Sequence, residues 1–316
     1  MKFEISLQTL RQAWNQFFFT PQSPIPISLF RILYGIVVTA TLWLLRADWL
    51  NWYGVHSWVT LPTMAEVEPG ARLNLFRVIP QDDFWINALF WLFLGFAVLL
   101  TLGLFTRVSS VVVFLALASI DQRNLFITHG GDTFLRVAGF FLMFAPAGAA
   151  FSLDRFVRIR AGKDDPALQL RSPWAQRMIQ FELALLYFTS FWWKSMGTPW
   201  VNGTALYYVS QLDELRRFPL PAWMQLPMVL KLATWFTLGL EFSLGVLIWF
   251  KELRYPLLLL GLLFHLCLEY RLNVPMFEWD VLTAYVLFVD PCDLQKWGNT
   301  ILSAGRRFQT ARVSNL

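Results

Sequence analysis

FELALLYFTSFWWKSMGTPWVNG, residues 181–203, decides how the rest of the chain is read. It is one apolar helix with Glu182 near its start and Lys194 at its end, closed by Gly197 and Pro199 ahead of Trp200, Asn202 and Gly203. A charge at the bilayer centre costs roughly 2.5–3.5 kcal/mol on insertion scales, so such residues are rare and face a bundle interior or a water-filled cavity. Lys194 also follows Trp192 and Trp193. On a second reading these rings form an interfacial aromatic belt, with the lysine snorkelling beneath the headgroups.

Composition generalises what this stretch suggests. The 316 residues are 56% hydrophobic and only 15% charged, well outside the range of soluble domains. Apolar runs long enough to cross roughly 30 Å of hydrocarbon recur along the whole chain and leave no room for a large soluble domain. The expected fold is all-α, a polytopic membrane bundle of about eight transmembrane helices preceded by an interfacial amphipathic helix. The net charge of +5 falls in short basic clusters between apolar runs, which sets orientation rather than nucleic-acid binding. Two cysteines, Cys267 and Cys292, make no disulfide framework and have no metal-site spacing, so no metal is expected. The N-terminus lacks the cleavage site of a secretory signal.

Residues 3–19 place Phe3, Leu7, Leu10, Trp14, Phe17 and Phe18 at helical spacing, an amphipathic helix suited to the interface plane. With the proline-rich PQSPIPIS linker it makes a unit of residues 1–26, ahead of a bundle over 27–291 and a basic cytoplasmic tail over 292–316. The spacing predicts spans near 27–45 (with Arg31 snorkelling), 85–105, 108–120, from about 130 to 149, the opening stretch, 228–250, 255–270 and 275–289. The long loop 46–84 is rich in tryptophan and folds back on the membrane. Asp132 and Arg136, four apart, can pair on one helix face. The densest basic loop, 150–177, falls on the same side as both termini, so the positive-inside rule places the termini in the cytoplasm of a multi-pass cell-membrane protein. His56, His129, His265 and Lys194 then converge on the opposite side.

Each of these residues has a structural reading: solvated loop histidines, a packing role for His265, and polar glue between two spans for Glu182 and Glu241. The sharper reading makes Lys194 a base. Burial against Trp192 and Trp193 disfavours the ammonium and leaves a free amine for a weakly acidic, membrane-soluble substrate. A nearby histidine can orient that substrate or stabilise its oxyanion. No Ser/His/Asp triad, phosphate loop or zinc motif is present.

LFRILYG (29–35), FAPAGAAFSLDR (144–155), LALLYFTSFWWKSMGTPWVNGTAL (183–206) and FHLCLEYRLNVPMFEWDVLTAYVLFV (264–289) resemble the horizontally transferred transmembrane (HTTM) domain, the membrane part of the vitamin K-dependent γ-carboxylases. The most specific part is Tyr187-Phe188, Lys194 and Trp200-Val201-Asn202-Gly203. The resemblance implies Lys194 as the base that deprotonates a reduced, vitamin K-like quinone, with O2 and CO2 as further reactants. It also implies catalytic roles for His129, with Asp132 competing, and for His265. Trp193, Trp200, Asp132 and Glu241 are expected to line the substrate cavity. The implied partners are membrane lipid and a secreted peptide or protein substrate. The large lumenal domain of animal carboxylases is not expected here, which leaves open a second class of function: a non-catalytic membrane accessory protein for export, maturation or immunity of a secreted peptide.

Overall fold

The computed structural model describes residues 6–68 and 73–300. Phe3 of the amphipathic pattern and most of the basic tail lie outside the described residues. Within them the chain is helical, and its β pairing is limited to isolated bridges between Gln22 and Arg171 and between Arg216 and Leu272. The N-terminal half comprises α1 (Leu7–Phe19), α2 (Ile25–Leu45), α3 (Trp49–Tyr53), α4 (Leu61–Val67), α5 (Asp83–Leu102), α6 (Thr106–Arg123), α7 (Gly130–Leu142) and α8 (Leu153–Arg160). The C-terminal half comprises α9 (Trp174–Ser195), α10 (Thr198–Val201), α11 (Ala205–Ser210), α12 (Pro227–Val246), α13 (Lys251–Arg271) and α14 (Phe277–Leu282).

Local chemistry sets the ends of these helices. Ser6 caps α1 by accepting from the Thr9 amide at 3.1 Å. Pro26 lies in the first turn of α2, where a missing N–H costs nothing. Gly103, at φ 69°, closes α5 in the left-handed region.

Among the described residues, four helical stretches are long and apolar enough to cross a membrane: Ile25–Tyr53, Asp83–Leu102, Pro227–Trp249 and Lys251–Arg271. The other expected spans are built differently. α6 carries Arg107, Asp121 and Arg123, and α7 stops after 13 residues because the chain turns through Pro146 and Gly148. The last expected span is broken, with α14 passing into a 3-10 segment, Thr283–Phe288, where Thr283 Oγ1 donates to the Asp280 carbonyl at 2.7 Å.

α2 lies at the centre. Phe30, Tyr34, Phe93, Ala97, Phe134, Ala138, Leu183, Leu244 and Ala284 are buried around it in one continuous core. Small residues let the helices approach, as membrane bundles require. A Cβ on Gly35 would lie 2.9 Å from the Thr101 backbone of α5. Tyr34 spans to α7 and donates to the Leu135 carbonyl at 2.9 Å.

Tertiary contacts define two poles. At one, the Gln22–Arg171 bridge joins the start of α2 to the segment before α9, Arg177 lies 4.6 Å over the Phe17 ring, and Asp154 holds the start of α6. Arg31 belongs to this pole as well. It does not snorkel: it is fully buried and donates to the Phe151 carbonyl at 2.7 Å, because the 144–152 turn folds over it. At the other pole the long loop packs on the bundle. Trp49 donates to the Ile86 carbonyl at 3.1 Å, and Arg123 donates to Val59 and Ser57 at 2.8 Å each.

Candidate functional site

Tyr187, Ser190 and Lys194 recur at three- and four-residue steps on α9 and therefore share one stripe of that helix. The stripe faces α12 and α13 and carries two linked polar groups.

The first is an ion pair between Lys194 and Glu241 of α12. Ser190 Oγ donates to the same Glu241 oxygen at 3.2 Å, while Oε2 has no hydrogen-bond partner among the described residues. Glu241 is 5% exposed, whereas Lys194 retains partial exposure. The ring over the Lys194 amine is Trp200 of α10, 5.0 Å from Nζ to the centroid. Trp193 is 72% exposed and Trp192 is exposed as well, so the sequence neighbours do not enclose the lysine. Trp200 is held because Trp235 of α12 donates to the Val201 carbonyl at 3.0 Å, directly behind it in the chain.

The depth of the pair follows from α12. Counting from Pro227, about 21 Å of that helix precedes Glu241 at 1.5 Å per residue. The pair thus lies well inside the Pro227–Trp249 apolar stretch, and Lys194, although last-turn in α9, is not at the edge of the bundle.

The second group starts at Tyr187. Its hydroxyl meets His265 Nε2 at 2.6 Å and Tyr285 at 2.7 Å, and His265 Nδ1 bonds to Glu278 of α14. All four side chains are buried, and both His265 nitrogens are committed. His265 is therefore held between Tyr187 and Glu278 and does not reach into open space.

α14 connects this relay to His129. Phe277, beside Glu278, meets the His129 ring edge-on at 5.5 Å between centroids. His129 caps α7: its amide donates to Asp132 at 2.8 Å, and its Nδ1 accepts from Gly131 at 3.1 Å. Because Asp132 folds back into this cap, the expected pairing with Arg136 does not form. Arg136 instead meets Asp121 of α6 at 3.0 Å. His129, Asp132 and Asp121 line a cavity of about 310 Å3 whose remaining walls include Leu42, Trp52 and Leu117. Lys194 and His265 are not among its lining residues.

The candidates thus fall into two places, with Lys194, Glu241 and Trp200 in one and His129 and Asp132 in the other, joined through His265 and α14. His56 is exposed and belongs to neither. Glu182 Oε2 has no partner among the described residues, so the bond between α9 and α12 falls to Glu241. Sequence reasoning passed over Ser190, Glu278, Asp280 and Tyr285. Two carboxylates inside the apolar run FEWDVL were the available signal.

A model of the HTTM domain matches residues 19–292, which takes in every residue of both places. No curated protein and no solved structure matches the chain. With most of its length covered by that match, the chain belongs to the HTTM domain family and is an integral membrane protein.

Proposed function

We propose that this protein is a membrane-embedded enzyme that deprotonates a weakly acidic, membrane-soluble substrate, a reduced quinone, with Lys194 as the base. The observation that carries this reading is the Lys194–Glu241 pair, set at depth beside Trp200 with one carboxylate oxygen unfilled. The role requires that the Lys194 proton pass to Glu241 before the substrate reacts, with water kept from the pair. A quinol docking against Trp200 excludes that water. The free amine takes the hydroxyl proton: the O–H bond breaks, an N–H bond forms, and the quinolate is left beside the new ammonium. The Tyr187–His265–Glu278 relay fixes the α9 stripe on which Lys194 stands.

On this reading the chain crosses the membrane eight times with both termini in the cytoplasm. What supports it is the arginine-rich pole, with Arg107, Arg155, Arg158, Arg171 and Arg177, which the positive-inside rule assigns to the cytoplasm, with the Lys194 and His129 sites then toward the other side.

The deciding assay follows a reduced quinone and O2 with purified protein. Epoxidation balances as quinol plus O2 giving quinone epoxide plus water, and carboxylation of a peptide glutamate additionally requires CO2. Epoxide formation, lost in Lys194→Ala, supports the reading. Absence of quinol consumption by folded protein rejects it. The competing reading, a non-catalytic accessory to export, maturation or immunity of a secreted peptide, draws on the same pair: Lys194 and Glu241 join α9 to α12 and serve as structural glue there.

A further inference from the structure

We propose that His129, Asp132 and Asp280 form a binding site for a divalent transition-metal ion on the wall of the cavity beside α7. One donor atom from each of the three lies within 4.8 Å of the others. Asp280 is the decisive member. It is 1% exposed, and neither carboxylate oxygen has a hydrogen-bond partner among the described residues. Burying a carboxylate without a partner is costly, and buried charges are paired or bound to metal. The nearest neighbours deepen the problem, because Asp121, Asp132 and Glu278 are also acids and the Arg136 guanidinium is taken by Asp121. A dication beside Asp132 and Asp280 makes the site neutral.

The histidine is oriented as a ligand. Its Nε2 lies 3.1 Å from the Pro275 carbonyl, which places the proton there and leaves the Nδ1 lone pair facing the acids. A metal-bound histidine characteristically donates its other ring N–H to such a carbonyl. Nδ1 and Asp132 Oδ2 are 3.4 Å apart. Two ligands held at 2.0–2.1 Å from a tetrahedral ion are separated by about 3.3 Å. The Gly131 amide, 3.1 Å from Nδ1, is the contact that an ion displaces. One imidazole with two carboxylates suits Zn2+, Mn2+ or Fe2+ better than Mg2+, and three protein ligands leave a coordination position open. No spacing along the chain signals this, because Asp280 reaches the site from α14. The assignment is independent of the chemistry of Lys194.

The test uses full-length protein purified in detergent, stripped with EDTA and offered Zn2+, Mn2+, Fe2+ or Mg2+ separately. Bound metal per chain after desalting, and the thermal unfolding temperature with and without each ion, are the readouts. The expected result is about one retained transition-metal ion per chain with a rise in Tm, since an ion that binds only the folded state stabilises it. Asp280→Asn and Asp132→Asn should each weaken binding at least tenfold and remove the rise. Should Asp280→Asn fail to fold, the partly exposed Asp132→Asn decides. Wild-type protein that retains no stoichiometric metal overturns the proposal. So does an Asp280→Asn variant that is more stable than wild type and indifferent to metal, because that outcome identifies a protonated carboxyl.

Discussion

Lys194 in the last turn of α9 is paired with Glu241 of α12, and the carboxylate is almost wholly buried while the amine keeps a path to the outside. This asymmetry separates the two roles open to the lysine. A charge held only for packing needs its partner on one side. A base also needs an approach for substrate, and the ring over the amine is that of Trp200, 5.0 Å from Nζ to the centroid.

Replacing Lys194 therefore discriminates. Lys194→Ala should lower quinol turnover by about 10²-fold or more, the scale of a lost general base. Lys194→Arg should be equally inactive, because a guanidinium stays protonated, yet it should express and fold as wild type through its pair with Glu241. Turnover measured alongside thermal unfolding checks both points. An active Lys194→Arg protein would make the lysine structural.

The approach of α9 to α12 that creates the pair depends on Gly245, where a Cβ would lie 3.0 Å from the Phe188 backbone nitrogen and 3.1 Å from the Ala184 carbonyl oxygen. Gly245→Ala should destabilise the bundle by about 1–3 kcal/mol through overpacking and should separate Lys194 from Glu241. Gly239 on the same helix has nothing within 4 Å of a built Cβ, so Gly239→Ala should be neutral or slightly stabilising. Thermal unfolding of the two variants side by side tests the geometry.

At the arginine-rich pole, Asp154 accepts from the amides of Phe105 and Thr106 at 2.8 Å each and from the Thr106 hydroxyl at 2.7 Å. Burial pushes its carboxyl up, but these hydrogen bonds, together with the positive charge of Arg158, more than offset that and hold it below the usual carboxylate range. With the folded value depressed, the stabilisation is fully present above the unfolded value near 3.9 and is lost as pH falls through the lower folded value. Asp154→Ala should cost about 1 kcal/mol at neutral pH, as for other helix caps. The difference from wild type should vanish at strongly acidic pH, which unfolding measured against pH would show.

Orientation is open to direct labelling. Single cysteines at Ser172, beside Phe18 at the arginine-rich pole, and at Asn202, exposed after α10, should react with impermeant reagent from opposite faces of the membrane. Labelling of both from one face would remove the eight-crossing arrangement.

The sequence by itself determined that the chain is a helical membrane protein and where α9 stops, and it singled out Lys194 as a charge in an apolar helix. These follow from hydropathy, from Gly197 and Pro199 at the helix end, and from the cost of a charge in lipid, all of which act within a few residues. Only the tertiary structure decided the partners. Lys194 meets Glu241 and Trp200 rather than Trp193, Arg136 meets Asp121 rather than Asp132, and Arg31 is buried rather than snorkelling. In each case the local pattern offered an adjacent partner or the interface. The side chain went instead to a group on another helix, because in a water-poor bundle a buried polar atom is satisfied by whichever helix packing brings within reach. The same cause gathered His129, Asp132 and Asp280, which no spacing along the chain connects.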